Sequence, residues 1–321
     1  MSNLEDKPDE VVCESGRGGI EVMAPRDVPL GGPRAMTVRR TLPQRERSLI
    51  GAWCFLDHYG PDDVADTGGM SVAPHPHTGL QTVSWLFTGE IEHRDSAGHH
   101  ALVRPGELNL MTAGHGISHS EVSTPTTSVL HGAQLWVALP ADARDGRPDF
   151  EHYAPDAVTG PGWEARVFLG TLLGSTSPVS TATPLLGAEL LISGGTELHL
   201  DVERTFEHGV LVDTGVVSIG EVETKQHQLA YLPPGSQRLS IDAHTDARVL
   251  LLGGPPFGEA IVMWWNFVGR SHEEVVGFRD EWMAQLADGR YDDGRFGVPT
   301  GNDLPPIPAP DLPNARLKER R

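Results

Sequence analysis

The spacing of apolar residues constrains this fold more than any other feature: before about residue 270 almost none of them recur with a helical period. The chain instead runs in short apolar or alternating stretches, such as 82–87 (TVSWLF), 134–139 (QLWVAL), 189–192 (ELLI), 209–213 (GVLVD), 229–232 (LAYL) and 247–252 (ARVLLL). Stretches of this length, rich in β-branched and aromatic residues and closed by Gly, Pro, Asn or Asp, fold as strands of sandwiches or barrels. The 37 glycines and 26 prolines supply turns without reaching a low-complexity or collagen-like composition. The expected class is all-β. One helix follows: Ser271 caps it, Glu274 completes a capping box, and Val275, Phe278, Trp282 and Leu286 form its apolar stripe, widened by Val276 and Met283. Gly289 ends it, and the proline-rich tail beyond (LPPIPAPDLP) is expected to stay extended rather than join a core.

A weak repeat suggests how the strands are organised. Trp85-Leu-Phe-Thr-Gly89 is similar to Leu211-Val-Asp-Thr-Gly215, an offset of 126, and Arg104-Pro-Gly106 to Pro233-Pro-Gly235, an offset of 129. Two similar β domains in tandem account for both, and 321 residues suffice for two cores. The expected layout is a disordered start over 1–16, a first barrel over 17–140 and a second over 165–255. A crossing segment and helix over 256–290 and the tail over 291–321 complete it.

Charge and cysteine content exclude several functions. Asp and Glu total 44 against 25 Lys and Arg, a formal charge of −19, which opposes direct contact with nucleic acid or an anionic membrane. No apolar run approaches the roughly 18–20 residues that span a bilayer. The opening MSNLEDKPDE does not read as a secretory signal. Cys13 and Cys54 are too few for a disulfide framework, so a cytoplasmic protein with reduced thiols is expected.

Histidine carries the chemistry. Eight of the 15 histidines lie between His75 and His131. In a strand, residues i and i+2 face the same way, so His75-Pro76-His77 presents two imidazoles side by side, and His119-Ser120-Glu121 an imidazole and a carboxylate. If the two strands are neighbours on one inner face, they form a three-histidine, one-glutamate site. Such N/O ligation suits Fe(II), Mn, Co, Ni, Cu or Zn, and geometry decides among them.

The text around these residues is specific. Residues 73–89 (APHPHTGLQTVSWLFTG) resemble the first motif of the cupin superfamily, and within it the pirin family. Asp95-Ser96, Gly98, Pro105-Gly106-Glu107, the run 111–121 (MTAGHGISHSE) and 131–137 (HGAQLWV) follow in pirin order and spacing. The likeness continues more loosely through 253–261 (GGPPFGEAI) and Glu273-Glu274, covering about residues 18–290. It implies two tandem cupin, jelly-roll-like barrels with a short C-terminal helix. It also implies one mononuclear divalent metal, Fe(II) foremost, on His75, His77, His119 and Glu121. Where cupins carry a ligating glutamate this chain has Gln81, whose parity with His75 and His77 is expected to place it beside the metal.

The second barrel is expected to hold no metal. The offsets carry His75, His77 and Gln81 to Asp201, Glu203 and Glu207, and His119 and Glu121 to Arg248 and Leu250. His199, His208, His227 and His244 show no paired spacing and read as surface or satisfied core histidines, whereas His93, His99, His100 and His115 are placed in turns around the first barrel. Asp57-His58 resembles a pirin structural turn outside the site, and Trp85, Trp136, Trp264 and Trp265 read as core.

Bacterial pirins act as quercetin 2,3-dioxygenases, so the resemblance implies a flavonol-like aromatic substrate and O2. The flavonol would enter the first barrel, Glu121 would take its 3-hydroxyl proton, and ring cleavage would release carbon monoxide and a phenolic ester. Other pirins resemble regulators that bind protein partners according to the redox state of iron, and that alternative stays open at this level.

Overall fold

The computed structural model describes residues 19–30, 36–45, 47–289, 294–301 and 303–320; the start over 1–16 and Cys13 lie outside them. The first half contains β1 (Glu21–Met23), β2 (Arg26–Leu30), β3 (Met36–Leu42), β4 (Trp53–Asp63), a short helix α1 (Val64–Thr67), β5 (Ser71–His77) and β6 (Leu80–Thr88). It continues through β7 (Ile91–Asp95), β8 (His100–Val103), β9 (Leu108–Thr112), β10 (Ile117–Ser123), β11 (Val129–Ala138) and β12 (Asp149–Tyr153). The second half contains β13 (Val158–Gly160), β14 (Trp163–Leu169), β15 (Thr171–Leu172), β16 (Ser175–Thr176), β17 (Leu186–Ile192), β18 (Glu197–Asp201) and β19 (Glu207–Thr214). Then come β20 (Val216–Ile219), β21 (Val222–Lys225), β22 (Leu229–Leu232), β23 (Arg238–Ala243), β24 (Ala247–Gly254), β25 (Val262–Trp264), β26 (Phe267–Gly269) and α2 (His272–Asp288).

Each barrel pairs a seven-stranded sheet with a four-stranded one. The first uses β12-β9-β6-β11-β4-β3-β2 with β5-β10-β7-β8, the second β1-β22-β19-β24-β17-β14-β13 with β18-β23-β20-β21. Named strand pairs are antiparallel throughout, so alternate residues point inward and outward. Outward-facing Val83, Trp85 and Leu135 of the first barrel bury against Leu211, Leu229 and Leu250 of the second. The inward set of the second barrel, including Val210, Val212, Leu239 and Ile241, forms its own core. The fold is two cupin barrels packed back to back.

Two segments differ from the expected layout. β1, which sequence order assigns to the first barrel, pairs with β22 of the second through Glu21↔Tyr231 and Met23↔Leu229. The tail is not left outside a core: Phe296, Ala309 and Leu317 are buried with Trp264, Trp265, Phe267 and Trp282. Its prolines keep it extended, yet its apolar residues gain from filling the gap between α2 and the first barrel, at roughly 1.5–3 kcal/mol per large side chain. The helix forms as its caps require, with Ser271 Oγ accepting from the Glu274 N–H and Gly289 ending it at φ +62°. Among the described residues no helix is long and apolar enough to cross a membrane. Cys54 is buried and free, and burial pushes its thiol up to about 12.

Candidate metal centre

β5 and β10 are antiparallel neighbours, and their register sets His119 directly opposite His75. The register slips between His119 and Glu121, where Glu121 faces Val72, so β5 carries one extra residue around Ala73-Pro74. Proline cannot donate to the ladder and is tolerated at such a bulge. Past His77 the chain turns at Gly79, where φ is +65° and a Cβ would lie 2.4 Å from the Val268 carbonyl oxygen, so only glycine fits.

His75, His77 and His119 are fully buried and each offers a ring nitrogen to one point, within 4.8 Å of one another. Their ring centroids lie 4.4 to 5.0 Å apart. The outer nitrogens are all engaged. His75 Nδ1 is 2.9 Å from the Ala73 carbonyl, His77 Nδ1 is 3.2 Å from the Asn266 carbonyl, and His119 Nδ1 is 3.3 Å from His93 Nδ1. Carbonyls only accept, so His75 and His77 donate from Nδ1 and keep their lone pairs on Nε2. For His119 a relay gives the same tautomer: Nδ1–H donates to His93, whose Nε2 donates to Asp95 at 3.3 Å.

The inner nitrogens are left without donors. His77 Nε2 and His119 Nε2 face each other at 3.1 Å, and His75 Nε2 is buried with no hydrogen-bond partner. Three lone pairs turned together in a buried space are what a cation satisfies and what a dry core would not tolerate. Burial pushes the His75 imidazole down to about 4 and holds His77 and His119 well below the usual range, with neighbouring imidazoles adding to the fall. All three are neutral near pH 7, the state in which an imidazole can ligate. The donor set fits a divalent metal.

Glu121 is also fully buried, but it groups with His93 and His119 rather than with His75 and His77. Its Oε1 lies 3.4 Å from Ser84 Oγ, and Ser84 in turn donates to Gln134 at 2.9 Å. Trp136 stands edge-on to His77 at 5.1 Å and stacks on Phe55 at 3.9 Å, forming an aromatic wall. Trp85, Trp136, Trp264 and Trp265 are buried, as expected of core.

Three sequence expectations need correction. Gln81 does not face the ligands: it shares a face of β6 with Val83 and Trp85, opposite Ser84, and its Nε2 donates to Thr112. The turn at Thr78-Gly79 resets the alternation, so parity cannot be counted through it. His93 is not in a turn but buried on β7 opposite Glu121, and His100 opens β8. The signal for His93 was present as a second i, i+2 pair, His93-Arg94-Asp95. Asp57-His58 lies within β4 rather than a turn, where Asp57 accepts from Nε and Nη2 of Arg40 at 2.7 Å each.

His58 belongs to a separate buried cluster between the barrels. His58 Nε2 and His131 Nε2 lie 2.7 and 2.6 Å from one oxygen of Asp213, and Arg248 reaches the other at 3.3 Å. Arg39 Nε donates to His58 Nδ1 at 3.4 Å, which leaves the proton on Nε2 to donate to Asp213. With hydrogen-bond spacings and two guanidinium groups alongside, this is a hydrogen-bonded clamp rather than a cation site.

The comparisons agree with the architecture. The family model described as Pirin matches residues 35–137, and the Pirin C-terminal cupin domain matches 187–286. A Pseudomonas aeruginosa protein provisionally named quercetin 2,3-dioxygenase is 42% identical over 98% of both chains. A pirin-like protein of Caulobacter vibrioides is 34% identical over 85% of this chain and 94% of its own. The crystal structure of a quercetin 2,3-dioxygenase from Acinetobacter baumannii covers 93% of this chain and 97% of its own, at 39% identity and TM-score 0.86. The chain belongs to the pirin family.

Proposed function

We propose that this protein is a metal-dependent dioxygenase that cleaves a flavonol-like aromatic ring with O2, with the metal on His75, His77, His119 and Glu121. The observation that carries the reading is the convergence of three Nε2 lone pairs, each fixed by an engaged Nδ1. In this reading the chemistry belongs to the first barrel, within 17–140, and the second, within 165–255, supplies none of the four ligands. Two relatives are named for quercetin 2,3-dioxygenase, which makes quercetin the substrate to try first.

A divalent metal, Fe(II) foremost among Fe, Mn, Co, Ni, Cu and Zn, would supply a Lewis-acidic centre there, and every one of these but Zn a redox-capable one. The chain supplies the rest. Glu121, buried beside His119, accepts the proton of the substrate hydroxyl at a carboxylate oxygen. The Asp95–His93 relay holds His119 in its ligating tautomer. Asn266, from the turn between β25 and β26, does the same for His77 through its carbonyl. Trp136 and Phe55 keep the surroundings apolar and dry, which sharpens every electrostatic contact within.

Oxygen uptake by Fe(II)-loaded protein with quercetin, followed with the flavonol absorbance and a metal-stripped control, tests the proposal. Equal, metal-dependent consumption of O2 and quercetin with release of carbon monoxide is expected. No uptake by protein shown to hold one metal would overturn quercetin cleavage, and capture of protein partners by iron-loaded protein would then test the regulatory alternative.

A further inference from the structure

The two barrels correspond strand for strand, and this locates the second barrel's counterpart of the metal centre. In sheet order β5, β10, β7, β6 and β9 match β18, β23, β20, β19 and β22. Gly89 and Gly215, both at positive φ, open the same turn into β7 and β20. Glu121 pairs with His93 as Ile241 pairs with Ile219, and His119 with His75 as Leu239 with Leu200. The counterparts of His75, His77, His93, His119 and Glu121 are therefore Leu200, Val202, Ile219, Leu239 and Ile241. Asp201, Glu203, Arg248 and Leu250, which the sequence offsets select, are not these positions. The offset of 129 aligned a turn before β9 with one after β22, and was coincidental.

None of the five counterparts can bind a cation, yet a cavity remains beside three of them. It has a volume of about 390 Å³ and is lined by Val202, Ile219 and Leu239 with Ile20, Leu232 and His208, while Ser236, Arg238 and Ser240 supply the polar part of its wall. That volume suits a molecule of one or two rings. His208 corresponds to Thr82 of the first barrel, is only 3% exposed, and leaves Nε2 buried with no hydrogen-bond partner. It is neither a surface histidine nor a satisfied core one. Burial pushes it down to about 4, so it is neutral near pH 7, with one donor and one acceptor nitrogen.

We propose that this second-barrel cavity binds a small, largely apolar molecule bearing one hydroxyl, a phenol or aromatic alcohol, whose hydroxyl partners His208. A hydroxyl both donates and accepts, so it suits either tautomer of a neutral imidazole, whereas a carboxylate or an ammonium suits only one. The proposal stands apart from the dioxygenase reading, since it uses none of the first-barrel residues.

Calorimetric titration of the full chain with 2-naphthol and with naphthalene tests it. One equivalent of 2-naphthol should bind, and His208→Leu should weaken it about tenfold while changing naphthalene much less. Leu239→Trp, which fills the cavity, should abolish both, and Ile219→Phe provides a second filling variant should the first fail to fold, as judged by melting temperature. His75→Ala should leave both unchanged. The proposal is overturned if 2-naphthol does not bind, if binding survives both filling variants, if His208→Leu affects the two ligands equally, or if His75→Ala removes binding.

Discussion

Asp213 joins the two barrels, and replacing it with asparagine measures that joint. In the wild type one carboxylate oxygen takes imidazole donors from His58 at 2.7 Å and His131 at 2.6 Å, while Arg248 contacts the other at 3.3 Å; Asp213 and His58 are fully buried. Burial alone would raise the carboxyl, but the bonds from His131 and His58 hold it well below the usual carboxylate range. Asp213→Asn keeps the shape and removes the charge. Two bonds fall from roughly 1.5–3 kcal/mol to about 1 kcal/mol each, and the Arg248 contact loses its anion. The expected loss is about 3 kcal/mol, near the lower limit for breaking a buried pair, and about 4 °C in melting temperature. The sign with pH follows from the depressed value: the stabilisation is fully present above the unfolded pKa of about 3.9 and is lost as pH falls through the folded one. Urea unfolding should thus show a wild-type advantage at pH 7 that narrows below about pH 4. A variant within about 0.5 kcal/mol of wild type at pH 7 would refute the clamp.

Other expectations follow from the metal centre. His75→Ala and Glu121→Ala should each strip most bound metal from purified protein, measured by elemental analysis, while His208→Ala should retain it. Asp95→Asn, which breaks the relay to His119 without touching a ligand, should weaken metal binding by about 10–100-fold in chelator competition with the fold intact by circular dichroism. The metal-free protein should lose stability as pH falls from about 6.5 toward 4. His75, His208 and His227 are pushed down to about 4, chiefly by burial, so the unfolded chain takes up protons there that the folded one refuses. Flat stability over that range would contradict the neutral, buried imidazoles.

Much of this protein is legible in its text because strand geometry is local. The period of two that pairs His75 with His77 and His119 with Glu121 belongs to the backbone, so it holds wherever the strand goes. The cap at Ser271 and the stop at Gly289 are equally local. Parity failed for Gln81 because a turn reset it, and the offset to Arg248 failed because a repeat in text need not be a repeat in register.

Which strands become neighbours is decided by long-range packing, and the rest of the site depends on it. The sequence by itself determined the β class, the tandem arrangement and the two same-face pairs, His75 with His77 and His119 with Glu121. Only the tertiary structure set His93 behind His119 and carried Asn266 to His77 across 189 positions. It also brought His58, His131 and Asp213 together and left His208 facing aliphatic residues. These contacts join segments far apart in the chain, and no local periodicity encodes which of several similar strands will lie beside another.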